Sequence, residues 1–240
     1  EDLRIDYGIL EQHSDSYRKI RNTFRYLLGN LNDKFEDIKF SEIKLNELPE
    51  LEQFMLHKIY TLNQNFNHYF KNYDFHNLYK ELLNFCTVDL SAFYFDIRKD
   101  TLYCDPIDSS KRKYTLILLN IILDSLLKWF APILSFTTEE IFKLISQNKK
   151  SIHLQKFLNF PKIFQNNKLN SKWAEILKIR NECNISIEEI RASKEIGSSL
   201  EANLKIYLNK KFQGIINNID FAEICITSMA EIIYDEGQEI

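Results

Sequence analysis

Apolar residues recur at helical spacing along most of the chain, and this pattern predicts a succession of helices. On a helix with 100° per residue, one side of segment 16–31 is apolar and collects Tyr17, Ile20, Phe24, Leu27, Leu28 and Leu31. Asp6 is placed to cap this first helix. The helix is predicted to end near residues 26–28, with Gly29 as its C-terminal cap.

The neighbouring side of the same helix is basic and polar. Arg18, Arg21, Asn22 and Arg25 follow the i, i+3, i+4, i+7 spacing of one helix face. Guanidinium groups and an amide suit the recognition of phosphates and unpaired bases. The alternative to nucleic-acid recognition is a solvated basic face on a bundle helix. Spacing alone favours this alternative, because charge runs usually face water.

Caps and breakers predict the next helices. Pro49 fits the first turn of a second helix, and Asp74 fits the cap of a third. Alternation in segment 91–104 permits a strand, although we favour a short helix and a turn.

A long apolar helix is predicted next. It starts at Ser109 or Ser110, reaches Trp129-Phe130 and stops at Pro132. Thr137 and Glu140 then have the form of a capping box, with Thr137 as the cap of a fifth helix that ends near residue 146.

Pro161 and the run Gln165-Asn166-Asn167 mark a boundary, and we predict a helical bundle over 1–160 and a second part over 161–240. The second part is expected to contain a helix over 171–194 that Gly197 terminates, strands at 204–208 and 224–226, and a helix over 210–217 between them. The chain has only 5 Gly and 4 Pro, which argues against an all-β fold. The predicted fold class is therefore mainly α, a helical bundle followed by a small α+β appendage.

The formal net charge of −3 excludes a chain that binds nucleic acid through its overall charge. Any such contact must use local basic clusters, which occur at 18–25, 111–113 and 149–150. The last stretch is acidic, and a nucleic acid would avoid it.

No pattern supports an autonomous active site. The four cysteines are spread without a Cys-x-x-Cys pair, which predicts no zinc site, no disulfide framework and a reducing, cytoplasmic location. The histidines form no His-x-x-x-His pair, and neither a P-loop nor a Gly-x-Ser-x-Gly elbow occurs. No apolar run approaches the ~18 residues of a membrane span. The N-terminal Glu1, in place of Met, suggests an excised fragment or a processed chain.

Four blocks resemble the anticodon-binding region of bacterial-type isoleucyl-tRNA synthetases, which are class I aminoacyl-tRNA synthetases. In the order of that family they are SYRKIRNTFRYLLGNL (16–31), SAFYFDIRKDTLYC (91–104), WFAPILSFTTEE (129–140) and KEIGSSLEA (194–202). The catalytic Lys-Met-Ser-Lys-Ser and His-Ile-Gly-His motifs do not occur in this sequence, nor does the editing domain or the cysteine-rich zinc module of many bacterial members.

The resemblance implies a class I anticodon-binding bundle that recognises isoleucine tRNA, without catalytic residues or cofactors of its own. The parent enzyme would use ATP and magnesium, and zinc in its C-terminal module. We expect a monomer with no membrane association. An Asn and an Arg of the related valine enzyme match Asn22 and Arg25, so Arg21, Asn22 and Arg25 are candidate anticodon or backbone contacts, and Arg18 and Lys19 weaker phosphate contacts.

Further candidates lie outside the first helix. Trp129 and Phe136 are candidate stacking platforms, although the favoured alternative makes both core aromatics at a proline break. Lys111, Arg112 and Lys113 are candidate contacts to the anticodon stem, or solvated charges. Two other identities stay open: the corresponding domain of a valine or leucine enzyme, and a helical protein-interaction module without RNA binding.

Overall fold

A computed structural model of the protein describes residues 5–31, 40–146 and 151–235. The chain divides into two compact units, Glu1–Gln165 and Asn166–Ile240, called here the first and second unit. The first unit is built from helices, whereas the second combines helices with a two-stranded sheet. The predicted fold class, mainly α with a small mixed appendage, is confirmed.

Helices make up most of the described part of the first unit. They are α1 (Tyr7–Leu31), α2 (Glu50–Lys71), α3 (Phe75–Asn84), a π-helical segment (Phe85–Phe95), α4 (Asp96–Tyr103), α5 (Ser110–Phe130) and α6 (Ser135–Ile145). Single 3-10 turns occur at Phe40–Glu42, Leu45–Glu47, Ile152–Leu154 and Lys162–Phe164.

Local signals fix the starts of three of these helices as predicted. Pro49 is the N-cap of α2, one position before the first turn in which the sequence predicts it. The Asp74 side chain accepts a hydrogen bond from the backbone N–H of Asn77 at the start of α3, and the Ser109 side chain accepts one from Arg112 at the start of α5. Each cap satisfies a backbone donor that the helix leaves unpaired.

Packing overrides two predicted ends. The first helix continues through Gly29, which is exposed, because Leu31 is buried and keeps the last turn on the core. Segment 91–104 is not a strand, and the favoured short helix and turn are present as α4 and the turn at Cys104, but this helix does not begin as a separate element. Instead α3, the π-helical segment and α4 form one continuous helical path to Tyr103, since Leu90, Phe93 and Tyr94 hold it against the core.

The predicted capping box at Thr137 and Glu140 is wrong. Backbone N–H groups of Ile133 and Leu134 both donate to the carbonyl of Phe130, so the chain reverses directly after α5. Helix α6 therefore begins at Ser135, after Leu134 as N-cap without a side-chain cap. Thr137 lies inside the first turn, and Glu140 is free for another role.

The core of the first unit is aromatic, and the ion pair between Arg98 and Glu52 is buried in it. Phe24 packs edge-on against Phe130 with ring centroids 6.1 Å apart. Arg98 donates from Nε to Glu52 Oε1 at 2.6 Å and from Nη2 to Oε2 at 2.8 Å, and both side chains are almost completely buried. The hydroxyl of Tyr94 also donates to Glu52 Oε1, at 3.0 Å.

The second unit contains a long helix, a short helix and two parallel strands. Its elements are α7 (Asn167–Ala192), a 3-10 turn (Ser199–Glu201), β1 (Asn203–Asn209), a 3-10 turn (Lys210–Phe212), α8 (Phe221–Cys225) and β2 (Met229–Asp235). Strands β1 and β2 pair in parallel, with Ile206 opposite Ile232.

The strand predicted at 204–208 is confirmed, but three neighbouring predictions change. Helix α7 begins four residues early because Asn166 caps it through the N–H of Leu169. The predicted helix over 210–217 is reduced to a 3-10 turn. The predicted strand at 224–226 is wrong: Asp220 accepts from two backbone N–H groups and starts α8, and Ile226, at φ 58°, ends it.

Within the described ranges, no helix combines the length and the apolar content needed to cross a bilayer.

Candidate nucleic-acid interface

A groove of about 500 Å³ lies between α1 and α6 of the first unit. Its volume falls within the range of sites that enclose small molecules, and it suits a single unpaired base. Its lining comes from two helices that are more than 100 positions apart in sequence: Arg21, Asn22, Phe24, Arg25, Leu28 and Gly29 from α1, and Thr137, Glu140, Ile141 and Leu144 from α6.

The apolar part of the groove is rigidly supported. Phe24 and Ile141 are 1% and 7% exposed, respectively, and Phe24 also packs on Phe130. The space beside Gly29 is open, because a Cβ built there meets nothing within 4 Å. Since Phe24 and Ile141 belong to the core, their part of the apolar lining holds its shape without a ligand.

Exposed polar side chains form the α1 side of the groove. Arg21, Asn22 and Arg25 are all exposed, and Asn22 and Arg25 make no hydrogen bond or ion pair with any residue in the described part of the chain. Their donors therefore stay available to a ligand. The basic side that the sequence predicts thus faces a concave surface, where contact with RNA is geometrically feasible.

A polar bridge connects the two helices at one end of the groove. The hydroxyl of Tyr17 lies 2.9 Å from Thr137 Oγ1, and Arg21 Nη1 donates to that hydroxyl at 3.1 Å. The hydrogen bonds with Thr137 and Arg21 lower the pKa of Tyr17, and the bond with Tyr17 raises the pKa of Arg21. Arg21 is therefore charged and held in place, with the rest of its guanidinium facing outward.

Arg18 and Lys19 lie three and two residues before Arg21 on α1, less than one helical turn, and do not line the groove. Both are exposed, and Arg18 pairs with Asp15 at 2.9 Å in full contact with solvent. Such surface pairs contribute little and exchange readily for another partner. Neither residue is locked inside the protein.

The basic cluster 111–113 is remote from the groove. It occupies the first turn of α5, which is about 30 Å long, whereas Phe24 contacts Phe130 at the last residue of that helix. Arg112 donates from Nη1 to the carbonyl of Asp105 at 3.1 Å and so supports the preceding turn. Lys149 and Lys150 lie outside the described residues.

The two aromatic candidates, Trp129 and Phe136, differ in their exposure to solvent. Trp129 is 0% exposed and its indole N–H donates to Asn63 Oδ1 at 3.1 Å, so its prediction as a stacking platform is wrong and the core alternative holds. Phe136 is 93% exposed at the start of α6, so for this residue the core alternative is wrong. Its ring faces are accessible, and stacking by Phe136 remains a prediction.

Sequence reasoning missed the contribution of α6 to the groove. Thr137, Glu140, Ile141 and Leu144 follow the i, i+3, i+4, i+7 spacing of a single helix face. Interpreting Thr137 and Glu140 as a capping box concealed this pattern. A helix start three residues earlier, as the structure has it, would have revealed the pattern.

Similarity to known proteins extends over both units of the chain. The family described as "Anticodon-binding domain of tRNA ligase" matches residues 52–208. Curated relatives named isoleucine–tRNA ligase include those of Pelagibacter ubique (66% identical over 100% of this chain), Agrobacterium fabrum (40% over 99%) and Bartonella henselae (41% over 97%). The aligned region covers 26%, 24% and 24% of these relatives, respectively, so the chain spans about a quarter of their length.

Proposed function

The chain belongs to the family of anticodon-binding domains of tRNA ligases, and on this premise we propose that it binds the anticodon stem-loop of isoleucine tRNA in the groove between α1 and α6. The observation that carries the proposal is the convergence of Arg21, Asn22 and Arg25, all exposed, on one apolar groove. The names of the aligned relatives favour isoleucine over valine or leucine as the amino acid.

Binding would combine contacts that position the RNA backbone with contacts that recognise the bases. Sequence-specific RNA readers act mainly on unpaired bases, which are splayed out, stacked and hydrogen-bonded along their edges. Arg21 and Arg25 supply charged donors for phosphates, and the Asn22 amide supplies both a donor and an acceptor for a base edge. Phe136 supplies an exposed ring for stacking, and Arg18 and Lys19 extend the cationic surface along α1.

The parent protein would join isoleucine to its tRNA with ATP and magnesium, and this chain would contribute tRNA affinity and identity rather than chemistry. We propose that the first unit carries the anticodon contacts and that the second unit is an appendage to it. A monomer in the cytoplasm suffices for this role, since both helices of the groove come from one chain.

Charge-removing variants test the assignment. Arg21→Ala and Arg25→Ala should each weaken binding of isoleucine tRNA, and each lost phosphate contact to a single strand should make the slope of log K against log salt shallower by about 0.7. Arg191→Ala is the matched control, since this exposed arginine belongs to α7 of the second unit and does not line the groove. Unchanged affinity and slope in both groove variants would reject the assignment.

A comparison of tRNAs tests the identity. Filter binding of purified isoleucine, valine and leucine tRNAs to the 240-residue chain should rank isoleucine tRNA first. A preference for another tRNA would move the chain to that synthetase, and the absence of salt-dependent RNA binding would favour a protein-interaction module.

A further inference from the structure

One acidic side chain shares the groove with the arginines and has no assigned role. Glu140 lines the groove from α6 and is exposed. Its carboxylate makes no hydrogen bond and no ion pair with any residue that the structure describes. Only its longer-range field reaches Arg21 and Tyr17. The neighbouring Glu139, in contrast, accepts hydrogen bonds from Ser151 Oγ and from the Ile152 N–H.

The chemistry of a carboxylate restricts what can lie beside it. An ionised carboxylate only accepts hydrogen bonds, so its ligand must present N–H or O–H groups. A phosphate beside Glu140 would be repelled, whereas a phosphate beside Arg21 or Arg25 would be attracted. The groove is therefore polarised across its width, with charged donors along α1 and an acceptor on α6.

An unpaired nucleotide matches this polarity. Its phosphate and carbonyl oxygens suit the α1 side, and the amino or imino N–H groups of its Watson–Crick edge suit a carboxylate. The bridge from Tyr17 to Thr137 fixes α6 against α1, one turn before Glu140 on α6. The acceptor is thus held at a set distance from the donors before any ligand arrives.

On the basis of the proposed function, we infer that Glu140 is a specificity-determining residue that accepts N–H hydrogen bonds from the edge of one unpaired anticodon-loop base. The same carboxylate selects against bases that place an acceptor oxygen or nitrogen, rather than an N–H, opposite it. Discrimination of this kind uses repulsion of the wrong base as well as attraction of the right one.

A cycle of protein and RNA substitutions tests the inference. Isoleucine-tRNA anticodon stem-loops would carry, one position at a time, a base analogue without an edge donor: 1-methylinosine for guanosine, purine riboside for adenosine, pyrimidin-2-one riboside for cytidine and 3-methyluridine for uridine. A matching 2′-deoxy series tests O–H donors. Each loop is titrated against the wild-type chain, Glu140→Gln, Glu140→Ala and Glu11→Gln. Glu11→Gln is the control, because it removes the same charge from α1 about 15 Å from Arg21, toward the N-terminus of the helix.

The inference expects one base analogue that weakens binding to wild type by on the order of tenfold and has no effect on the Glu140 variants, with Glu11→Gln behaving as wild type. Additive effects at every position would overturn it. Coupling between Glu140 and the RNA that occurs only in the 2′-deoxy series would also overturn the inference. The same holds for a uniform gain in affinity for all loops in the Glu140 variants, because Glu140 would then act only as a repulsive charge. Wild-type protein that binds no loop would instead reject the proposed function on which the inference rests.

Discussion

The buried pair of Arg98 and Glu52 permits a sharp prediction about stability. Replacing Arg98 by Met keeps most of the apolar side chain but removes the guanidinium that donates to both carboxylate oxygens. Glu52 is 0% exposed, so its carboxylate would remain in the core with only hydroxyl donors, chiefly that of Tyr94.

The structure allows a magnitude to be estimated. Removing one partner of a buried ion pair typically costs about 3–5 kcal/mol, because the other charge stays buried without compensation. The double variant Glu52→Leu/Arg98→Met removes both charges, so no uncompensated charge stays buried. Its main cost is the Tyr94 hydroxyl left without its acceptor, which lowers the free energy of unfolding by about 1–3 kcal/mol. The double variant should therefore be more stable than Arg98→Met alone by roughly 2 kcal/mol.

The two tryptophans provide a selective assay. Trp129 lies in the first unit and Trp173 in the second, and both are buried. In a Trp173→Phe background, urea unfolding followed by tryptophan fluorescence reports on the first unit alone, which avoids fitting two units as one transition. Thermal midpoints should fall by about 6–20 °C for Arg98→Met, at about 2–4 °C per kcal/mol.

Two results would refute this reasoning. A loss below about 1 kcal/mol for Arg98→Met would mean that water or a rearranged donor compensates the carboxylate. A double variant as unstable as the sum of its single variants would mean that the two charges do not interact energetically.

Three smaller effects are expected elsewhere. Gly29→Ala should stabilise α1 by about 0.5–1 kcal/mol in thermal unfolding, because the glycine is helical and an added Cβ meets nothing; a lower midpoint would contradict this. Lys194→Gly should stabilise the second unit by about 0.5–1 kcal/mol, as Lys194 has φ 64° after α7, and unfolding followed by Trp173 fluorescence in a Trp129→Phe background measures the change. Hydrogen bonds from Ile152 N–H and Ser151 lower the pKa of Glu139, so its contribution is present above the ordinary glutamate pKa and disappears as pH falls through the lowered value. The Ile152 amide shift should titrate at that lowered pKa, and a midpoint at or above the ordinary value would exclude the interaction.

Local chemistry explains which parts of the fold could be predicted from the sequence. Pro49, Asp74 and Ser109 act on their own next turn, so the starts of α2, α3 and α5 follow from a few neighbouring residues. The end of α1 and the path through 91–104 depend on which side chains the core buries, and that information is spread over the whole first unit.

The candidate site, too, could be predicted only in part from local sequence. Periodicity placed Arg21, Asn22 and Arg25 on one helix face, but it does not show what that face meets. The opposite wall comes from Glu140 and its neighbours on α6, whose register depends on a turn closed by two hydrogen bonds to the carbonyl of Phe130. Trp129 illustrates the converse error, because aromatic type alone does not distinguish a stacking surface from a core residue.

The groove separates two physical tasks between two sets of side chains. Phe24 and Ile141 are buried and hold α1 and α6 on the core, whereas Arg25 and Glu140 are exposed and make no hydrogen bond or ion pair within the described parts of the chain. Changing an exposed, unpaired side chain costs little stability, while changing the buried ones opens cavities in the core. A scaffold divided in this way can alter the bases that it accepts without altering its fold. Affinity and stability should therefore vary independently among groove variants.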